Sequence, residues 1–157
     1  MDNQRDKEPP KPERKDRRVL SVPAGKTYVL MTKHNVYSCP VSHPKHDEKV
    51  DVFAPRNEEG KIPRIYRIVA RIVADPRNPV CPTHLKPEYS QNIKVYISVA
   101  KSIKGILDGG GQYRFYILSD IERYALKHAP SLSHPGNAHV YLSLKQLVNG
   151  AEFVDPL

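Results

Sequence analysis

Residues 62–74 read IPRIYRIVARIVA, and the conformation of this stretch decides the fold class of the chain. Its isoleucines and valines fit the stripe of a helix, with arginines on the opposite side. Its high content of β-branched residues favours a strand, because their restricted χ1 angles suit a pleated surface. We predict a strand, in which Arg67, Val69 and Arg71 share one face.

Other segments on both sides of this stretch also have strand character. The clearest is 93–99, where apolar residues alternate with Lys94, Tyr96 and Ser98. Residues 112–118 alternate in the same way, with Arg114 and Tyr116 on the side opposite the apolar residues. The remaining predicted strands are 19–22, 27–32, 50–54 and 139–142.

Two capping boxes predict helices near the end of the chain. Ser119 is followed three residues later by Glu122, and Ser143 by Gln146, so that each serine can cap a helix start. We predict short helices over 119–128 and 143–150. The fold class is therefore α+β and mainly β: a small curled mixed sheet or a partly closed barrel, with two or three short helices.

The domain organisation follows from composition. Residues 1–18 mix both charges with three prolines, so we predict a disordered tail and a single globular domain over 19–157. Residues 34–48 and 75–89 are rich in proline and read as loops. The tail lacks the apolar core of a signal peptide, and no apolar run is long enough to span a membrane. We therefore expect a cytoplasmic protein with no membrane partner, with nuclear or nucleoid association as an alternative.

The charge of the chain indicates a polyanionic partner. The formal net charge is +8, of which the tail contributes +2, because it holds seven Lys and Arg against five Asp and Glu. Most of the positive charge therefore belongs to the domain. Nucleic acid is the commonest partner of such a domain, and the choice between DNA and RNA stays open.

A candidate nucleic-acid surface arises if the central predicted strands lie side by side. Guanidinium and ammonium groups would neutralise phosphates, and tyrosine rings would stack on bases. The same residue types are also ordinary on the solvent face of any sheet. The candidate residues are Arg67, Arg71, Lys94, Tyr96, Arg114 and Tyr116.

Two pairs of side chains could together hold a metal ion. Cys39 precedes His43 by four residues, and Cys81 precedes His84 by three. Thiolate and imidazole are the preferred ligands of zinc, so these four residues are the candidate site of a structural zinc ion. The spacings match no standard zinc finger. We expect no cofactor otherwise.

No motif in the chain identifies a catalytic site, so no catalytic residue is assigned and we expect a binding protein. The glycine run at 109–111 precedes a predicted strand, whereas a phosphate loop precedes a helix, so it reads as a turn. The alternative to nucleic-acid binding is an accessory factor that docks on a protein partner through the tail and the proline-rich loops. A zinc-stabilised module or metal-dependent enzyme is the third hypothesis.

Residues 49–79 contain Val50-Asp-Val-Phe53, then Ala70-Arg-Ile-Val73, then Asp75-Pro76. This order resembles part of the PUA-like superfamily, and EVE-type domains in particular. The resemblance implies a barrel that binds nucleic acid, in some members with a modified base held in an aromatic pocket. The chain differs from those domains in having no tryptophan, and we assign no pocket residue.

Overall fold

The computed structural model describes residues 17–44, 47–134 and 136–157. The predicted tail over 1–18 lies almost wholly outside these residues. The two tail residues that are described belong to the folded part, since Arg18 begins the first strand and the Arg17 carbonyl accepts a hydrogen bond from the Leu144 amide.

The described residues form eight strands, three α-helices and one 3₁₀ turn. In chain order they are β1 (Arg18–Pro23), the 3₁₀ turn (Gly25–Thr27), α1 (Tyr28–His34), β2 (Val36–Pro40), β3 (Val52–Arg56), β4 (Arg64–Ala74), α2 (Pro87–Ala100), β5 (Tyr113–Ala125), β6 (Ser131–Leu132), β7 (Val140–Ser143), α3 (Leu144–Val148) and β8 (Phe153–Val154). None of these helices has the length and apolar character needed to cross a bilayer.

Six strands form a mixed sheet in the order β2-β5-β4-β3-β1-β7, and β6 pairs with β8 separately. β1 runs parallel to β3 and antiparallel to β7, while β3 is antiparallel to β4. The sheet is not closed into a barrel. The prediction of a mainly β domain with a mixed sheet and two or three short helices is therefore confirmed.

Two of the strands that were predicted from β-branched or alternating residues form in the central sheet. Residues 62–74 contain β4, and the alternating segment that ends at Leu118 is the first half of β5. The second capping box also forms, because the Ser143 hydroxyl accepts from the Gln146 amide at 3.1 Å at the start of α3.

The strand predicted over 93–99 is wrong, because these residues belong to the helix α2. Ile93, Ile97 and Ala100 are buried at helical spacing, together with Tyr96. Val95 and Val99, which the strand prediction placed inward, are 36% and 38% exposed. Apolar residues four apart satisfy both a period of two and a period of 3.6, so the alternation did not distinguish the two structures.

The helix predicted over 119–128 is also wrong, because β5 continues to Ala125. The Ser119 hydroxyl does accept from the Glu122 amide at 2.8 Å, as in a capping box. Sheet pairing nevertheless keeps the backbone extended, and just beyond β5 the Leu126 amide donates to the Pro63 carbonyl at 2.8 Å. A long-range backbone ladder has overridden a local capping signal here.

Two further assignments exchange strand and helix near the start of the chain. Residues 27–32, predicted as a strand, lie in the 3₁₀ turn and α1, whose buried residues are Leu30 and Met31. Residues 36–40 fall within the predicted loop over 34–48 but form β2, which is antiparallel to β5. The proline-rich composition concealed β2 because Pro40 ends an edge strand, the position in a sheet that tolerates proline.

The described residues divide into two compact units, and the single globular domain over 19–157 stays a prediction. Unit 1 comprises residues 17–28, 47–67, 119–134 and 136–157, and unit 2 comprises residues 29–44 and 68–118. The core of unit 1 is an aliphatic cluster that includes Val19, Ile65 and Leu142. The core of unit 2 packs α2 on its strands, and it includes Ile93 and Phe115.

Candidate nucleic-acid interface

Three of the six predicted surface residues, Arg71, Arg114 and Tyr116, share one face of the unit 2 strands. In the antiparallel pair β2–β5, Tyr37 lies opposite Tyr116 and Cys39 lies opposite Arg114. Arg71, on the neighbouring strand β4, places its guanidinium carbon 5.6 Å from the centroid of the Tyr116 ring. The sequence pattern therefore placed these three side chains on the same face of the sheet correctly.

Tyr116 is buried on that face, so the expectation that its ring is presented to solvent is wrong. Its exposed fraction is 1%, and the Tyr37 ring lies 6.0 Å away at 39°. The Arg71 side chain covers it through a cation–π contact. A ring enclosed in this way offers no open face on which a nucleic-acid base could stack.

Tyr96 is buried on the other side of the same strands, as part of α2 and the unit 2 core. Its hydroxyl shares a 2.8 Å hydrogen bond with the Ser38 hydroxyl. Its ring packs edge-on against Phe115, with the centroids 6.3 Å apart. Burial raises the pKa of Tyr96, and the hydrogen bond with Ser38 opposes the rise. The predicted outward position of Tyr96 is wrong because it depended on the strand assignment.

Arg67 is exposed as predicted, but it forms an ion pair in unit 1. Its Nη1 donates to Glu122 Oε1 at 3.1 Å and Oε2 at 2.8 Å. The hydrogen bond and the negative charge of Glu122 raise the pKa of Arg67. Because the glutamate compensates its charge, Arg67 contributes little to a positive field.

Lys94 is exposed as predicted, although it lies on the outer face of α2 and not on a strand. The six predicted residues therefore do not form one surface. Arg71, Arg114 and Tyr116 share a sheet face, Tyr96 is in the core, Arg67 is paired, and Lys94 is on a helix.

Lys94 is one of four exposed lysines that lie along α2 and the turn after it. We call this group the lysine surface, and its members are Lys86, Lys94, Lys101 and Lys104. Lys86 occupies the N-cap of α2 and Lys101 its C-cap. Lys94 and Lys101 are seven residues apart, which places them on nearly the same side of the helix. Among the described residues, no carboxylate lies within ion-pair distance of Lys94 or Lys104.

Sequence reasoning identified only Lys94 from this surface. In the predicted strand over 93–99, Lys94 belongs to a different element from Lys86 and Lys101. In the helix from Pro87 to Ala100, all three lysines belong to the same element or its caps. The signal was present in the sequence: Pro87 stands at N1, a position that suits proline, and polar residues fill 90–92.

Asp75 lies close enough to Lys101 for the lysine charge to act on it, and Arg77 forms an ion pair with Asp75. Arg77 Nε and Nη2 donate to the two carboxylate oxygens at 3.0 and 2.8 Å. These hydrogen bonds, with a weaker contribution from the charge of Lys101, lower the pKa of Asp75 to about 2. Asp75 therefore stays ionised, and its charge is compensated locally.

The four predicted metal ligands all lie in unit 2, but the structure does not gather them. Cys39 is buried on the face of Tyr37 and Arg114, while Cys81 packs against the α2 side of the core. His84 is exposed. Within the described residues, no group of three or more His, Cys, Asp or Glu side chains is arranged to hold a metal ion. A zinc ion on Cys39, His43, Cys81 and His84 stays a prediction from the sequence.

Burial makes Cys39 a poor nucleophile and a poor thiolate ligand. Its exposed fraction is 4%, and desolvation raises its pKa to about 11, against the opposing charge of Arg114. At neutral pH the thiol therefore stays protonated.

Comparisons with known proteins identify no relative of this chain. The resemblance of residues 49–79 to PUA-like domains accordingly stays a prediction from the sequence. No protein-family model, no curated protein and no solved structure matches this chain.

Proposed function

We propose that this chain is a nucleic-acid-binding module without catalytic activity, and that it contacts the phosphate backbone through the lysine surface of unit 2. One observation carries the proposal: the positive charge is concentrated in unit 2. Its described residues hold eight Lys and Arg against three Asp and Glu, whereas those of unit 1 hold eleven against nine.

The geometry of α2 supports contact with phosphates. Seven residues of helix separate Lys94 from Lys101 by about 10 Å, and each side chain adds a flexible four-carbon stem. Two such ammonium groups can reach phosphates that are one or two nucleotides apart on a strand. Lys104 extends the positive strip beyond the helix end.

The same geometry argues for binding that depends little on base sequence. Tyr96 and Tyr116, the rings that sequence analysis had placed on the surface, are each 1% exposed. Lysine acts as a point charge and carries no base information by itself. We therefore expect affinity that comes mainly from counterion release and falls steeply with salt.

A fluorescence-anisotropy titration of the full chain tests the proposal. The probes are labelled double-stranded DNA, double-stranded RNA and single-stranded RNA of mixed sequence, at about 50 mM salt. The test variant replaces Lys94, Lys101 and Lys104 by Gln. The matched control replaces three exposed lysines of unit 1, Lys26, Lys49 and Lys127, by Gln, with the same change in net charge.

We expect the unit 2 variant to bind at least tenfold more weakly than the wild type, and the control less than threefold more weakly. The probe that the wild type binds most tightly identifies the preferred nucleic acid. The proposal fails if the wild type binds none of the probes, or if the two variants weaken binding equally, since net charge alone would then explain the result.

A protein partner is the second candidate, and the exposed valines of α2 favour it. Val95 and Val99 stand among the lysines and are each more than a third exposed. Replacing both by Ser should leave nucleic-acid affinity unchanged if the lysines alone make the contact. A loss as large as that of the lysine variant would favour a mixed apolar and basic docking face over a phosphate-binding one.

A further inference from the structure

The loop that follows α2 carries an exposed serine inside the lysine surface. Residues 101–112 connect α2 to β5 without a helix or strand, and Ser102 is exposed at the start of this loop. Lys101 directly precedes Ser102, and Lys104 follows it by two residues. Both lysines belong to the lysine surface, so a charged group added to Ser102 would change the charge of that surface.

Among the described residues, no other exposed serine or threonine has this setting. The exposed members of these two residue types are Ser42, Thr83, Ser98 and Ser102. Of these four, Ser102 is the one with a lysine or arginine within two positions on both sides. Basic residues that flank a hydroxyl attract an enzyme whose substrate groove is acidic, because the charges are complementary. Protein kinases that select basic flanking residues, called basophilic kinases, form such a class.

The Ser102 hydroxyl can accept a phosphoryl group without leaving a backbone group unsatisfied. Its Oγ donates to the Val99 carbonyl at 2.6 Å, and phosphorylation would remove this hydrogen bond. The same carbonyl also accepts from the backbone amide of Ser102, at 3.1 Å, and from that of Lys101. The end of α2 therefore keeps its backbone hydrogen bonds after the modification.

The position of Ser102 in the chain makes it accessible to a second protein. It lies two residues beyond the end of α2, so a kinase can enclose the surrounding backbone without unfolding the helix. Gly105 has a φ of +91°, which residues with a side chain rarely adopt, and it turns the chain after the serine. Ile106 is 8% exposed and joins the unit 2 core, so the loop is anchored beyond this turn.

A phosphate on Ser102 would compete with a nucleic acid for the neighbouring lysines. Phosphoserine carries about −1.5 to −2 charges at pH 7, and its oxygens accept strong hydrogen bonds from ammonium groups. Lys101 and Lys104 are close enough in the chain for their flexible side chains to reach that phosphate. The formal charge of the four-lysine surface would fall from +4 to about +2.

We infer that Ser102 is a phosphorylation site through which a basophilic protein kinase weakens nucleic-acid binding by the lysine surface. The inference rests on the proposed function, since it names the regulation of the same surface. In the reaction, the Ser102 oxygen forms a bond to the γ-phosphorus of ATP while the bond from that phosphorus to the β,γ-bridging oxygen breaks. ADP leaves, and a base of the kinase takes the hydroxyl proton.

Incubation of the full chain with a basophilic kinase and MgATP tests the site, and mass spectrometry of the digested product locates the phosphate. We expect phosphate on Ser102 of the wild type and none at this position in Ser102→Ala. The matched control Ser98→Ala removes another exposed hydroxyl of unit 2 and should be phosphorylated on Ser102 as the wild type is. A saturating nucleic-acid probe should slow the reaction about fivefold, because probe and kinase compete for the same lysines.

The anisotropy titration then compares the phosphorylated with the unmodified chain. The phosphorylated chain should bind about tenfold more weakly, and its slope of log K against log salt should be smaller by about 2. Ser102→Glu adds one negative charge and should weaken binding about threefold. Gln146→Glu makes the same change in charge at an exposed position of unit 1, and its affinity should stay within about twofold of the wild type.

Two results would overturn the inference: phosphate incorporated elsewhere but not on Ser102, or equal nucleic-acid affinity of the phosphorylated and unmodified chains. Either result leaves the proposed function intact as long as the unmodified chain binds nucleic acid. If the unmodified chain binds none of the probes, the proposed function fails and the regulatory role fails with it. The mapped phosphate separates these cases, because phosphorylation of Ser102 is measured without nucleic acid.

Discussion

Unit 1 and unit 2 have nearly the same number of described residues, 71 and 67, yet they use charge differently. In unit 1, arginines meet carboxylates, as in the pairs Arg17–Asp51 and Arg67–Glu122. In unit 2, four exposed lysines lie along α2 and the turn after it, and Arg77 pairs with Asp75. The excess positive charge of the described residues therefore lies mostly in unit 2.

The cores of the two units also differ. The buried members of the unit 1 cluster are all aliphatic, while unit 2 adds the rings of Tyr96, Tyr113 and Phe115. Both cysteines of the chain, Cys39 and Cys81, lie in unit 2 as well. The rate at which a thiol reagent labels the cysteines therefore measures the opening of unit 2 alone. Variants of the two cores can be compared by this rate.

The largest expected effect is loss of the unit 2 core. Phe115→Ala removes a ring that is 0% exposed and packs against Tyr96, so it should lower the free energy of unfolding by about 3–5 kcal/mol. Urea denaturation measures this loss. The buried Cys39 thiol should also react with a thiol reagent much faster than in the wild type.

Leu142→Ala in the unit 1 core is the matched variant, since Leu142 is also 0% exposed. It should cost about 2–5 kcal/mol and accelerate Cys39 labelling less than Phe115→Ala does. Equal acceleration by the two variants would show that the cores open together, and the contrast between the units would then not extend to stability.

The next largest effect is a loss of folding free energy at alkaline pH, which arises from Cys39 in unit 2. Burial raises the pKa of Cys39 from 9.0 to about 11, so the folded state holds a proton that the unfolded state releases. The resulting stability is fully present below pH 9 and is lost as the pH rises towards about 11. Two pKa units correspond to about 2–3 kcal/mol.

Urea denaturation at about pH 8 and about pH 11 measures this term. The wild type should lose about 2 kcal/mol more than Cys39→Ala over that interval. Cys81→Ala retains Cys39 and should lose as much as the wild type. If Cys39→Ala shows the wild-type pH dependence, the thiol is not the group responsible.

The lysine surface should produce a smaller free-energy change but a distinctive salt dependence. Each phosphate contact contributes a slope of about −0.9 to log K against log salt on duplex DNA. The variant of Lys94, Lys101 and Lys104 should therefore reduce the slope of the wild type by about 2–3. Binding isotherms at several salt concentrations give the slope. An unchanged slope in this variant would show that the three lysines make no phosphate contacts.

A smaller stability effect is expected for Tyr96→Phe. The change removes the hydrogen bond with Ser38 but keeps the ring against Phe115, so it should cost about 0.5–1.5 kcal/mol. Nucleic-acid affinity should be unchanged, because the ring is buried. Weakened binding with intact stability would show that Tyr96 reaches the ligand, contrary to its position in the core.

The smallest effect is expected for Arg67→Ala in unit 1. Glu122 already compensates this guanidinium, so nucleic-acid Kd should change less than twofold and the salt slope should stay constant. The anisotropy titration described above measures both quantities. A slope reduced by about one would mean that Arg67 leaves Glu122 for a phosphate.

Local pattern was sufficient for the strands whose two faces have different environments. β4 was predictable because β-branched residues fill it, and the first half of β5 because Phe115 and Ile117 alternate with Arg114 and Tyr116. The helix α3 was predictable from the capping box of Ser143 and Gln146. In these segments local preference and tertiary pairing agree.

The candidate site was less predictable because burial of a side chain depends on what packs over it. The pattern placed Arg71 and Tyr116 on one face correctly, but it did not show that Arg71 covers the ring. The lysine surface was not predictable in full, because Lys86, Lys94 and Lys101 belong to one element only when 93–99 is helical.

The amino-acid sequence by itself determined the excess of positive charge, the mainly β character and the parity of residues along β4 and β5, since these depend on composition and on neighbours within a few positions. Only the tertiary structure decided that 93–99 is helical, that 119–125 is extended and that the charge collects in unit 2. The physical reason is that helix and strand preferences differ by less than the free energy of packing a segment on its neighbours.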